Sequence, residues 1–199
     1  MDVRRERILV EAAPAAAQAS AIRAVPYHSP VRNGPPVARR LLPDALRAAP
    51  FGPGPILCRM LTITQSLYDQ IVAHARADHP DEACGVVAGP VGAGRPERFV
   101  PMLNAARSPT FYEFDSQDLL KLYREMDDRD EEPVVIYHSH TATEAYPSRT
   151  DISYANEPGA HYVLVSTADA DGAGEFQFRS FRIVEGEVTE EEVKVVEAY

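Results

Sequence analysis

Tryptophan is absent from this chain of 199 residues, and cysteine occurs only twice, as Cys58 and Cys84. Two thiols without C-x-x-C spacing exclude a disulfide framework and fit a reducing cytoplasm. No apolar run approaches the ~20 residues a membrane-spanning helix needs, so no membrane partner is expected. Internal repeats are lacking. Basic residues are scarce from Leu61 onward, where 11 Lys and Arg face 26 Asp and Glu, a balance of −15. Phosphate binding needs clustered Lys and Arg, so nucleic acid is not an expected partner of this part.

What is present is ordinary for a soluble globular protein: 45% apolar and 25% charged residues, with ample length for one domain and a tail. The material changes near Met60. Residues 1–59 hold nine of the seventeen prolines, with many alanines and scattered arginines. Pro35-Pro36 and the Gly52–Pro55 run forbid helix or central strand there, and a disordered extension is expected. Glu11, Pro14 and Gln18 break any apolar export signal. Met60 sits where the composition changes, so a natural start at that residue, with 1–59 untranslated, is one reading. The ordered domain is expected over 60–199.

Within that domain, Leu61–Ile63 reads as a strand, and Thr64 can cap a helix to Ala77 with Leu67, Ile71, Val72 and Ala75 on one stripe. His74 and His79 are expected at the surface or the helix end. After Pro80, the run from Gly85 to Ala88 reads as a buried strand, and Arg98–Leu103 as another. Asp115 starts a helix to about Asp128 with Leu119, Leu122, Tyr123 and Met126 as its apolar stripe. The acidic run Asp127–Glu132 is expected to be a solvated helix end and loop, or a docking surface. His161–Ser166 is a further strand. Phe176/Phe178 and Phe181/Ile183 fall on opposite parities, which predicts a bulge near Arg179. Glu185-Gly186 turns a hairpin, with Val193–Val196 as the last strand. Strands and helices interleave, so the fold class is α/β or α+β.

The most informative stretch is VVIYHSHTATEAYPSRTD, from Val134 to Asp151. Its β-branched start marks a buried strand that ends in His138 and His140 at i and i+2. The side-chain period of a strand is two, so both rings leave one face. Burying both costs free energy unless each finds a partner. Asp151 can add a carboxylate, and two imidazoles with one carboxylate make a hydrolytic zinc set with a position left for water. Ser148-x-x-Asp151 also reads as a capping box opening a helix from about Thr150 to Ala155. The two readings are compatible, because a helix entry fixes where the carboxylate points.

Residues 138–151 match H-[ST]-H-x7-S-x2-D at every defining position and resemble the JAMM metallopeptidase motif. Pro80-Asp81-Glu82-Ala83-Cys84-Gly85 is similar to the P-x-E-x-C-G segment of the same family. The resemblance implies a curved mixed sheet flanked by helices. It also implies one Zn²⁺ on His138, His140 and Asp151, with Glu82 as the general base and Ser148 as the oxyanion donor. Asp81 and Glu144 are the carboxylates that compete with Glu82. Cys84 is expected to be a core thiol and His161 a strand-edge residue, neither of them a ligand. From Leu61 to Tyr199 the chain resembles a branch that removes cysteine from the C-terminal Gly-Gly of a ubiquitin-like sulfur-carrier protein. Alternatives are another ubiquitin-like conjugate or a non-catalytic scaffold. A zinc deaminase, which needs P-C-x-x-C, is excluded.

Overall fold

In the computed structural model, described over residues 60–172 and 174–199, most of the apolar runs become strands of one central sheet. The expected extension over 1–59, and with it the reading of those residues as untranslated, lies outside this range. The elements run β1 (Leu61–Thr64), α1 (Gln65–Asp78), β2 (Cys84–Pro90), β3 (Arg98–Met102), α2 (Ser116–Asp128), β4 (Glu131–His140), α3 (Arg149–Tyr154), β5 (His161–Ser166), β6 (Gln177–Val184), β7 (Glu187–Glu191) and β8 (Val193–Val196). Six strands form a sheet in the order β3-β2-β4-β5-β6-β7, while β1 and β8 pair separately and in parallel. Only β4 and β5 run parallel within the large sheet. Their connection must therefore cross over, and it carries α3. No helix among the described residues is long and apolar enough to cross a membrane.

Both faces of the sheet are covered, which explains why its central strands read as nearly continuous apolar runs. On one face α1 buries Leu67, Ile71 and Ala75 against Val87, Val135, Tyr137 and Val163. Each fully buried aliphatic side chain there contributes about 2 kcal/mol by leaving water. On the other face Leu122 and Met126 of α2 pack on Cys84, Val86 and Ala88. Thr64 caps α1 through its side chain, accepting from the Leu67 N–H, and Asp115 caps α2 by accepting from Gln117 and Asp118.

Several expectations are corrected. β6 is regular against both neighbours, with no bulge near Arg179. Phe178 packs toward α1 and Phe181 with Ile183 packs on the opposite face, so opposite parity reports two covered faces and not a slip. The turn at Glu185 and Gly186, both at positive φ, joins β6 to β7. Val193–Val196 instead pairs with β1, a non-local contact that no local pattern announces. The acidic run is not all loop: β4 starts at Glu131, whose carboxylate takes a two-pronged contact from Arg98, and Glu132 accepts from the Gly92 N–H. Pro133 is tolerated because the register shifts opposite it, between Val87 and Ala88. His74 is half-buried, its Nδ1 2.8 Å from the Tyr137 hydroxyl and its Nε2 3.3 Å from Asp78.

Candidate metal centre

β4 ends where α3 begins to return, and that geometry assembles the site. His138 pairs across from Leu164 and His140 from Ser166, at the last rungs of the β4–β5 ladder. Both rings leave the face that carries α2 and α3, and both residues are buried. The chain then loops through Thr141–Pro147 to Ser148, the N-cap of α3. Ser148 Oγ accepts from the Asp151 N–H at 3.2 Å, and the Ser148 N–H donates to Asp151 Oδ2 at 2.7 Å. This is a complete capping box with Asp in the position Glu usually holds. It turns Oδ2 toward the two rings.

The three atoms form a small triangle. His138 Nε2 and His140 Nε2 are 3.2 Å apart, and Asp151 Oδ2 lies 3.4 Å from the first and 3.6 Å from the second. A tetrahedral zinc with ligands at ~2.0–2.1 Å spaces those ligands about 3.3 Å apart. The triangle therefore fits such an ion without rearrangement. His140 Nδ1–H donates to the Glu144 carbonyl at 2.9 Å, which leaves the lone pair of the neutral ring on Nε2. Two imidazoles and one carboxylate are the donor set of a catalytic zinc site, with a fourth direction free.

The charges agree with this use. Burial pushes His138 below the usual imidazole range, against the pull of Asp151. Burial acts the same way on His140, but hydrogen bonding to Asp151 and to the Glu144 carbonyl outweighs it and raises the ring. A cation entering the triangle would displace that proton. Burial would also raise Asp151, yet the two imidazoles and the Ser148 side chain hold it well below the carboxylate range.

Glu82 lies just before β2, only 6% exposed. Burial pushes its carboxyl up to about 7, with His140 pulling against that rise and Asp151 adding to it. It is thus a buried carboxyl within electrostatic reach of the triangle. Of the competing acids, Asp81 is half-buried at the turn after α1, where its N–H donates to the Asp78 carbonyl. Glu144 turns its carboxylate to solvent, 3.7 Å from Arg179, and serves His140 only through its backbone. Cys84 is buried, donates to the Met102 carbonyl, and has its thiol pushed up to about 12 by burial and nearby carboxylates. A protonated thiol is a poor ligand. His161 sits at the far end of β5, hydrogen-bonded to Glu191 and Arg182.

Three neighbours of the site escaped the reading from sequence. Tyr112 stacks on the His138 ring with centroids 4.5 Å apart and fixes its plane. Ser139, between the two histidines, accepts the Ala83 N–H on its Oγ at 2.8 Å, and its own N–H donates to the Ala83 carbonyl. Asn104 donates to the Glu82 carbonyl at 2.9 Å. All three contacts join segments distant in sequence. Only Ser139 carried a signal, as the middle residue of H-S-H.

A mixed sheet, a histidine pair at the end of its crossover strand and an acid returned by the crossover helix define the JAMM class of peptidase. A family model described as prokaryotic homologs of the JAB domain matches residues 64–184, and the chain belongs to that family. Over 140 residues it is 64% identical to proteins of Mycobacterium bovis and Mycobacterium tuberculosis named CysO-cysteine peptidase, covering 70% of this chain and 94% of theirs. It is 32% identical over 127 residues to a desampylase of Haloferax volcanii, covering 61% of this chain and 91% of that one. Among solved structures it is similar to a Desulfitobacterium hafniense protein, with a TM-score of 0.60, 31% identity and coverage of 69% and 94%. The chain is a JAMM-type peptidase, a hydrolase.

Proposed function

We propose that this peptidase is a zinc enzyme that hydrolyses the peptide bond between the C-terminal glycine of a ubiquitin-like sulfur-carrier protein and an attached cysteine, releasing cysteine for biosynthesis. The observation that carries the metal is the triangle of His138 Nε2, His140 Nε2 and Asp151 Oδ2 with sides of 3.2, 3.4 and 3.6 Å. The substrate rests on the 64% identity to proteins named for that reaction. Zinc, when bound by these three side chains, supplies a Lewis acid that polarises the scissile carbonyl and acidifies a water.

The protein's own groups do the rest. Glu82 accepts the proton of the attacking water and later delivers it to the departing amine nitrogen. A carboxyl near 7 suits both halves of that exchange. Ser148 Oγ accepts the Asp151 N–H within the capping box, and its O–H is the group that donates to the oxyanion. Tyr112 and the Glu144 carbonyl hold the two rings in place. A Gly-Gly tail has no side chains, so it can enter in extended form where a folded chain cannot. An edge strand that adds the tail by β-augmentation would capture it.

The test incubates the protein with a sulfur-carrier–cysteine adduct, with and without chelator, and follows free cysteine by mass spectrometry. Release only without chelator is the expected result. The similarity to a desampylase supports a second arm, an isopeptide conjugate of a ubiquitin-like protein. Cleavage of that conjugate, with the cysteine adduct left intact, would overturn the substrate. Release that survives complete removal of metal would overturn the mechanism.

A further inference from the structure

The position of Glu82 poses a physical problem. β2 begins only at Cys84, so no ladder holds the residue that is to act as the base. Its backbone is held instead from outside the sheet. The Glu82 N–H donates to the Ser108 carbonyl at 2.9 Å, and its carbonyl accepts from Asn104 Nδ2 at 2.9 Å. Both backbone groups are therefore committed to the segment that follows β3.

Asn104 organises that segment. It is 3% exposed, and its side chain is fully used. Nδ2 donates also to the Phe111 carbonyl at 3.0 Å, while Oδ1 accepts from the Ala106 N–H at 3.0 Å and the Glu113 N–H at 3.2 Å. Two donors and two lone pairs are the whole capacity of a carboxamide. One side chain thus closes the loop from 104 to 114 and clamps it to Glu82. The loop is tied to the metal-binding turn as well, because Thr141 Oγ1 donates to the Pro109 carbonyl at 2.9 Å.

We propose that Asn104 is the positioning residue for Glu82: its carboxamide sets where the Glu82 carboxylate stands relative to the His138–His140–Asp151 triangle. The assignment rests on Glu82 acting as the base. Asn104 acts through Glu82 and touches no reacting atom. An acid is not a substitute, since a carboxylate would face the carbonyls of Glu82 and Phe111 with no donor to offer either.

The experiment is a double-mutant cycle on the full zinc-loaded chain with the carrier–cysteine adduct as substrate. Asn104→Ala should lower kcat by about 100-fold, the cost typical of a misplaced catalytic group. KM and zinc per chain should stay near wild type. In the Glu82→Gln background the same substitution should cost no further rate, because the group it positions is gone. A merely structural role would lower the rate in both backgrounds, or lower the melting temperature without touching kcat, and either result overturns the proposal. Asn104→Asp, equal in shape, serves if the alanine variant does not fold. It should show the same kcat loss, and wild-type kcat in this variant also overturns the proposal. If wild type itself shows no turnover, or Glu82→Gln keeps full rate, the reading of the site fails first and is recognised as such.

Discussion

Asp151 Oδ2 accepts the Ser148 N–H and at the same time faces two imidazole nitrogens, so one atom serves helix entry and the triangle. That double use explains why S-x-x-D can be read as a cap or as a ligand, and why neither reading excludes the other. The roles separate under substitution. His140→Ala removes one of three donors and should abolish both bound zinc and activity. Glu82→Gln keeps the triangle, and should retain zinc per chain while kcat falls by about 10²–10⁴-fold. Metal analysis beside single-turnover kinetics checks both. A variant without zinc that still turns over would remove the metal from the mechanism.

Also at this scale, Glu191 is buried with His161 Nδ1 at 2.6 Å and Arg182 Nε at 3.0 Å. Burial would raise its carboxyl, but the His161 ring and the Arg182 guanidinium outweigh burial and hold it below the usual range. A carboxyl depressed in the folded state adds stability above its unfolded pKa, about 4.3, and loses it as pH falls through the folded value. Wild type should therefore melt higher than Glu191→Gln at neutral pH, with the gap closing below about pH 4. Melting curves from neutral to acid pH measure it. A gap that widens on acidification would contradict the assigned direction.

Among the elements, the close contact of β2 with β4 is the most sensitive to change. Gly85 pairs with Tyr137, and a Cβ at Gly85 would meet the Tyr137 hydroxyl at 2.3 Å. Tyr137 is fully buried and bonded to His74, so its ring has nowhere to retreat. Gly85→Ala should lower stability by about 1–3 kcal/mol, the usual cost of overpacking. Denaturant unfolding would show it, and the paired Tyr137→Phe change should not restore it, because Cζ and Cε1 of the ring would still lie 2.5 and 2.7 Å from the added Cβ. Most of these elements were legible in the sequence. α1 and α2 follow from Thr64, Asp115 and their apolar stripes, because capping and amphipathic periodicity are local. β6 was misjudged because parity cannot distinguish a bulge from a strand covered on both faces. The pairing of β8 was illegible because its partner, β1, lies at the opposite end of the domain.

For the molecule as a whole, the legible part of the site was the part written in periodicity. The two-residue repeat of a strand puts His138 and His140 on one face, and the cap at Ser148 aims Asp151. Tyr112, Asn104 and the Glu144 carbonyl are illegible because tertiary contacts bring them in. The roles of Asn104 and Glu82 are proposals that the variants above address. The metal should also be felt globally. A ligand that binds only the folded chain adds about 2.7 kcal/mol at one hundred times its Kd. Added zinc should raise the melting temperature of wild type and leave His140→Ala unmoved, as calorimetry can show. An equal rise in both would place the effect elsewhere.

The parallel pairing of β1 with β8 has a consequence for the order in which the chain matures. Leu61–Thr64 leaves the ribosome long before Val193–Val196, its neighbour in the finished sheet, and the Tyr199 hydroxyl that reaches the Thr62 carbonyl comes later still. A nascent chain can thus assemble its central strands while its opening segment is still unmatched. Closure of the domain waits for the synthesis of β8.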